Sequence, residues 1–323
     1  MTKPVVFITR NDFPCIMNEL LKEKFQVKCW SEKKLTKSQF LENIKGVFGI
    51  ICSPSNKIDK EILDVAGNTL KVVSTFSVGY DHINVKDVKA YGIRIGHTPD
   101  VLTESTAEYG VGLLLTISRR IIESHLSIHK NEWTTDVWTP MYMCGQGLEN
   151  SVVGIVGCGR IGTSVAKKVK AFNIKRLLYY NRKEKQEVAN LGGELKPIDE
   201  LIRESDFIIV TISLNEETKG IINKERINLM KSNAIFVNIA RGAIVDQKAL
   251  TEVLQNKKIA GAGLDVFETE PIDTNDPLLK LNNVVITAHI ASATFHVRNK
   301  MAEVAAKNVI AVLENRDMVA EIQ

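Results

Sequence analysis

The chain has 323 residues, a formal net charge of +4, and 44% hydrophobic and 25% charged residues. That length exceeds the size at which one hydrophobic core stops growing, so two domains are expected, and no apolar run approaches the ~18 residues of a membrane span. The basic residues form no stripe interleaved with aromatics, which argues against a nucleic-acid partner. The cysteines (Cys15, Cys29, Cys52, Cys144, Cys158) are scattered and never form a Cys-x-x-Cys pair, so neither a disulfide framework nor a zinc site is expected. Met1 to Arg10 runs directly into the strand-like stretch Pro4 to Thr9 without a secretory pattern. Ala320-Glu321-Ile322-Gln323 has no peroxisomal or lipidation signal, and a cytoplasmic protein is the expectation.

Strand-like runs at Val5 to Ile8, Val47 to Ile51 and Lys71 to Thr75 alternate with helical patterns around Cys15 to Lys24 and Lys57 to Ala66. Thr103 to Lys130 follows as one long apolar helix through Leu113, Leu114, Ile117 and Ile121, with Thr103 or Ser105 as its cap. The loop Trp133 to Gly147 is expected to reach toward a partner subunit. A second series of strands begins at Val152 to Val156. It continues with Leu177 to Tyr180, Phe207 to Thr211, Ile235 to Asn238, Ile259 to Leu264 and Val284 to Thr287. The last amphipathic helix, Ala293 to Glu314, would return to cover the first series.

This rhythm predicts an α/β protein with two doubly wound, Rossmann-like domains built on parallel sheets and an active site in the cleft between them. The expected domains are 1–102 plus 292–323 for the substrate (catalytic) side and 103–291 for the dinucleotide side, with a dimerisation segment at 103–148.

The strongest local signal is Gly157-Cys158-Gly159-Arg160-Ile161-Gly162, directly after the strand Val152 to Val156. In a G-x-G-x-x-G turn between strand and helix, the first glycine permits the tight turn and the second lets the backbone approach a pyrophosphate. The third allows close packing of helix on strand, and the helix N-terminus offers N–H groups to the phosphates. About twenty residues later, where NAD-specific folds place an acid for the ribose hydroxyls, stands Asn181. Arg182, Lys183 and Lys185 follow and would favour a 2'-phosphate, so NADPH is expected over NADH, with NADH still possible.

Arg241, Glu270 and His289 each lie at or just beyond the end of a predicted strand, where α/β sheets collect ligands. Ketone reduction needs a proton donor, a cation to hold the acid and polarise the carbonyl, and a group that keeps the donor protonated. Glu270 beside His289 would favour the imidazolium. Taken singly, the three could be a structural histidine, a helix-capping arginine and a surface acid; their coincidence with a dinucleotide turn points to function. His125 and His129, one helical turn apart, read as a solvated helix face without a third metal ligand. Trp133 and Trp138 read as packing or interface anchors, and His82 has Asp81 as a structural neighbour.

The segments Asn238-Ile239-Ala240-Arg241-Gly242, Gly263-Leu264-Asp265-Val266-Phe267 with Glu270-Pro271, and Thr287-Ala288-His289-Ile290-Ala291-Ser292 resemble the signatures of D-2-hydroxyacid dehydrogenases. Ser77-Val78-Gly79-Tyr80-Asp81-His82-Ile83 and His97-Thr98-Pro99 extend the resemblance over essentially the whole chain. It looks most like the glyoxylate reductase/hydroxypyruvate reductase branch, which implies a cytosolic homodimer that reduces small 2-keto acids with NADPH.

By that resemblance Arg241 holds the keto acid, His289 donates the proton, and Glu270 pairs with His289. The amides of Val78 and Gly79 hold the substrate carboxylate, and Ser292 lies beside the substrate. Thr106 lies near the nicotinamide, while Ser213, Ile239, Asp265 and Ala291 line the rest of the dinucleotide. Two positions depart from the pattern: Tyr142 stands where the branch commonly has tryptophan, and Ala291 where the family usually has glycine. The rival readings are a phosphoglycerate or formate dehydrogenase on the same fold, and a non-enzymatic, dinucleotide-sensing corepressor. Asn181 in place of the acid of NAD-type sites speaks against the phosphoglycerate dehydrogenase and the corepressor.

Overall fold

A computed structural model describes residues 3–32 and 34–323. The chain divides into two compact units, Met1–Leu102 with Ala293–Gln323, and Thr103–Ser292.

In the first unit, β1 (Val5–Ile8), β2 (Gln26–Cys29), β3 (Gly49–Cys52), β4 (Val72–Thr75) and β5 (Arg94–Gly96) form a parallel five-stranded sheet of order β2-β1-β3-β4-β5. The connecting helices are α1 (Cys15–Lys22), α2 (Lys37–Asn43), α3 (Lys60–Ala66) and α4 (Val85–Ala90). Their starts are written in the sequence as caps. Thr36 and Gln39 form a reciprocal capping box on α2, and Asp59 and Asn84 accept from the first turns of α3 and α4.

The second unit opens with α5 (Thr103–Ser118) and α6 (Ile121–His129). Seven parallel strands then assemble: β6 (Val152–Val156), β7 (Arg176–Tyr180), β8 (Gly193–Leu195), β9 (Phe207–Val210), β10 (Ile235–Asn238), β11 (Gly261–Leu264) and β12 (Val284–Ile286), in the order β12-β11-β10-β9-β6-β7-β8. Helices α7 (Arg160–Lys170), α8 (Gln186–Ala189), α9 (Ile198–Glu204), α10 (Lys224–Ile227) and α11 (Gln247–Gln255) connect them. β9 and β10 are buried at every residue, as strands covered on both faces must be. After the second unit, α12 (Phe295–Leu313), capped by Thr294, packs on α1, β3 and β4 of the first. Among the described residues no helix is long and apolar enough to cross a membrane. Both sheets are Rossmann-type, in agreement with the predicted α/β class.

The long helix expected over Thr103 to Lys130 is in fact two. Arg120 takes a left-handed conformation (φ 54°) between α5 and α6, and Ile121 is exposed. The cause is non-local: the carbonyl of Ser118, which a continuing helix would use, accepts from the Gln146 amide at 2.9 Å. Thr103 opens α5 and Ser105 is buried within it, so neither occupies the capping position before the helix.

Candidate active site

The glycine turn follows β6. Gly157 has φ 97°, and its amide donates to the Tyr180 carbonyl at 2.9 Å, which ties the turn to the end of β7. At Gly162 a Cβ would lie 2.1 Å from the Gly157 oxygen, so only glycine lets α7 approach this closely. Gly159 differs, because a Cβ there would meet no heavy atom of the other described residues within 4 Å. The space over Gly159 is open, and among the described residues no side chain caps the start of α7, the kind of helix start that suits an anion. Arg160 is exposed and Ile161 half-buried beside this space. The neighbouring Cys158 is buried and its thiol is pushed up to about 12, so it packs as an inert thiol.

Beyond β7, Asn181 is half-buried and closes a small turn by donating from Nδ2 to the Lys183 carbonyl at 2.8 Å; Arg182 and Lys183 are exposed. In α5 the Thr106 hydroxyl is buried without a hydrogen-bond partner among the described residues, an orphaned polar atom that suits a bound polar group. Ile239 and Ala291 are buried, Ser213 is exposed and Ser292 half-buried. The residues present therefore fit a dinucleotide on the glycine turn.

Arg241 follows β10 in extended backbone (φ −147°, ψ 143°). The buried Asn238 holds this loop, donating to the Arg241 carbonyl at 3.0 Å and accepting from the Ala240 amide at 3.0 Å. Gly242 lies directly against the loop that follows β11: a Cβ would fall 1.8 Å from the Phe267 carbonyl carbon and 2.3 Å from the Glu268 nitrogen. The Arg241 loop and the Glu270 loop therefore touch backbone to backbone.

Glu270 accepts from the Phe267 amide at 3.0 Å through Oε1 and from His289 Nδ1 at 2.7 Å through Oε2. Burial works to raise the Glu270 carboxyl. The hydrogen bonds from His289 and Phe267, with the charges of His289 and Arg241, outweigh it and hold the group below the ordinary carboxylate value. With Nδ1 donating to Glu270, Nε2 is the ring nitrogen left to carry a transferable proton. The side chains of His289 and Glu270 remain 38% and 34% exposed, so substrate and solvent can reach them.

His289 adopts φ 53°, a left-handed conformation that costs free energy for any residue with a side chain. Asp265, fully buried, enforces it. Its backbone oxygen accepts from the His289 amide at 2.9 Å, Oδ1 from the Thr287 hydroxyl at 2.7 Å and the Ile290 amide at 2.9 Å, and Oδ2 from the Ala291 amide at 2.9 Å. The sequence motif suggests Asp265 as a dinucleotide residue; in the structure its carboxylate is committed to the loop bearing His289 and Ala291. The sequence reading also missed Gly242 and Asn238, whose contacts depend on loops from different strands.

In the first unit Val78 and Gly79 lie half-exposed after β4. His82, placed by sequence only as a neighbour of Asp81, meets the Thr75 hydroxyl at 2.9 Å from Nε2. His125 and His129 meet edge-on at 4.5 Å between ring centroids, and among the described residues no group of three or more potential ligands could hold a metal.

A glycine turn suited to a dinucleotide and a carboxylate-paired histidine beside an arginine loop define a nicotinamide-dependent oxidoreductase. The model of the D-isomer specific 2-hydroxyacid dehydrogenase NAD binding domain matches residues 111–291. The chain is 44% identical over 300 residues to human glyoxylate reductase/hydroxypyruvate reductase, covering 92% of this chain and 91% of that protein. It is 43% identical over 313 residues to a Pyrococcus horikoshii glyoxylate reductase, covering 96% and 92%. A solved Thermus thermophilus protein superposes with a TM-score of 0.92 at 38% identity, covering 99% of this chain and 100% of that one. An NADPH-dependent glyoxylate/hydroxypyruvate reductase from Sinorhizobium meliloti, solved with NADP and malonate, gives 0.87 at 29% identity, covering 99% and 97%. The chain belongs to the D-isomer specific 2-hydroxyacid dehydrogenase family.

Proposed function

We propose that this dehydrogenase reduces glyoxylate and hydroxypyruvate to their 2-hydroxy acids, with NADPH preferred over NADH. The observation that carries the reading is the 2.7 Å pair of His289 and Glu270 beside the Arg241 loop, in a chain 44% identical to a reductase of that name. NADPH, when bound, supplies the hydride. Gly157, Gly159 and Gly162 with the amides at Arg160 and Ile161 hold its pyrophosphate. Arg182 and Lys183 with Asn181 receive the 2'-phosphate, and Thr106, Ser213, Ile239, Asp265 and Ala291 border the rest, Asp265 through the loop it fixes.

The guanidinium of Arg241 holds the keto acid and polarises its carbonyl, with Val78 and Gly79 amides on the carboxylate and Ser292 beside the substrate. His289 gives the Nε2 proton to the carbonyl oxygen, and Glu270, ionised and bonded to Nδ1, stabilises the imidazolium before transfer and fixes the ring plane. A positioned general acid contributes about 10² to 10⁴ in rate, so His289→Ala should lose that much turnover with glyoxylate while binding NADPH as before. Unchanged turnover would remove the assignment. Arg182→Ala should raise the KM for NADPH several-fold and leave that for NADH alone, since only the former carries the 2'-phosphate.

The exposed apolar side chains Ile122, Leu126, Trp133, Trp138 and Met141 on α6 and the loop after it support a homodimer, because a patch of this kind is costly to leave in water. Sedimentation of Trp138→Glu tests it, with a lighter species expected. A cytoplasmic location completes the reading.

A further inference from the structure

In a trans peptide the C=O and the N–H of one unit point in opposite directions, so whatever grips the carbonyl also aims the amide. Among the described residues the one cis bond is Glu270–Pro271, and the peptides of the segment Ser77-Val78-Gly79 are trans. Each of its three carbonyls is gripped. Ser77 O accepts from the Thr98 amide at 2.9 Å, Val78 O from His97 Nδ1 at 3.0 Å, and Gly79 O from the Ser77 hydroxyl at 2.7 Å. The first two grips come from consecutive residues just after β5. They fix the peptide planes that carry the Val78 and Gly79 amides, and among the described residues neither amide donates to a protein acceptor.

His97 is itself anchored. Its amide donates to the Ala320 carbonyl at 3.2 Å, and its carbonyl accepts from Asn308 Nδ2 at 3.0 Å. Asn308, fully buried in α12, also accepts from the Ala320 amide at 3.0 Å, and the Tyr80 ring meets the His97 ring edge-on at 5.9 Å.

We propose that His97 is a positioning residue for substrate: its Nδ1–H locks the Val78–Gly79 peptide so that the Gly79 amide faces the carboxylate of a 2-keto acid, and the Thr98 amide does the same for Val78. The inference rests on the proposed function, which gives those two amides to the carboxylate. A carbonyl only accepts, so Nδ1 carries a proton whether the ring is neutral or charged, and the lock holds across the working pH range. Binding of the carboxylate is equal in ground and transition states, so loosening the lock acts on KM and spares kcat.

The test compares His97→Phe, which keeps an aromatic ring beside Tyr80 without a donor, with His97→Asn, whose amide nitrogen stands as many bonds from Cα as Nδ1. His97→Phe should raise the KM for glyoxylate about tenfold and weaken inhibition by oxalate by the same factor, with kcat and the NADPH Kd within about twofold of wild type. His97→Asn should recover most of both losses. His97→Leu carries the same expectation as His97→Phe should the latter lower the melting temperature. An active wild type beside a His97→Phe variant with unchanged KM and oxalate inhibition overturns the inference alone, as does a fall in kcat that matches the rise in KM in both variants. A wild type that neither reduces glyoxylate or hydroxypyruvate nor binds oxalate overturns the proposed function and the inference with it.

Discussion

Gly242→Ala is the sharpest perturbation the structure offers, because its cost follows from a distance. The added methyl would start 1.8 Å from the Phe267 carbonyl carbon and 2.0 Å from its oxygen, both backbone atoms that no rotamer can move away. Restoring ordinary contact requires the Arg241 loop to part from the Glu270 loop by roughly 1 Å or more, and a displacement of that size from reacting geometry costs on the order of 10² in rate. The Phe267 amide that holds Glu270 lies beside this contact, so the His289 pair shifts with the loop while the glycine turn at 157–162, on β6 and α7, is untouched. Steady-state kinetics with glyoxylate should show kcat/KM reduced about 100-fold, with the NADPH Kd from fluorescence titration within about twofold of wild type. A folded variant, shown by an unchanged circular dichroism spectrum, that retains wild-type kcat/KM would refute the claim that this contact sets the Arg241–Glu270 geometry.

Gly159→Ala reverses the pattern: among the described residues its methyl meets no heavy atom within 4 Å beyond its chain neighbours, so the melting temperature should hold while the NADPH Kd rises about tenfold or more through crowding of the pyrophosphate. A Kd equal to wild type would mean that the phosphates lie elsewhere. Because Glu270 is held below its ordinary value of 4.5, its support of His289 is complete above that value and is lost as pH falls through the lower folded one. The acid limb of kcat/KM that Glu270→Gln abolishes should therefore lie below pH 4.5, and a limb at about pH 5 or above contradicts the assignment. Asp265→Asn places an NH₂ group against backbone amides that now donate to a carboxylate. It should lower stability by about 2 kcal/mol in urea titrations and reduce kcat, whereas a variant as stable as wild type would show that the carboxylate is not what holds the loop.

How much of this architecture can be read from the chain depends on whether its cause is local. Val152–Val156 and Ile235–Asn238 are legible because central parallel strands bury both faces and so read as continuous apolar runs. β2 (Gln26-Val27-Lys28-Cys29), β5 (Arg94-Ile95-Gly96) and β8 (Gly193-Glu194-Leu195) are not, because three or four residues with only one or two apolar ones among them are too few to show a period. The break at Arg120 is hidden for a different reason, since its cause, the Gln146 amide on the Ser118 carbonyl, comes from a loop far along the chain.

The site divides in the same way. Arg241, Glu270 and His289 stand out as chemistry-bearing residues after strand ends, but the geometry that makes them a unit is supplied by residues with no reactive group or with their reactive group fully used. Gly242 acts by lacking a side chain, and the carboxylate oxygens of Asp265 accept from three donors on the His289 loop. A left-handed histidine persists only where its surroundings over-determine it. One buried carboxylate holding the backbone on one side of His289, with Glu270 holding the ring on the other, meets that requirement, and it lets a strained loop present Nε2 in one orientation without reorganising when substrate arrives.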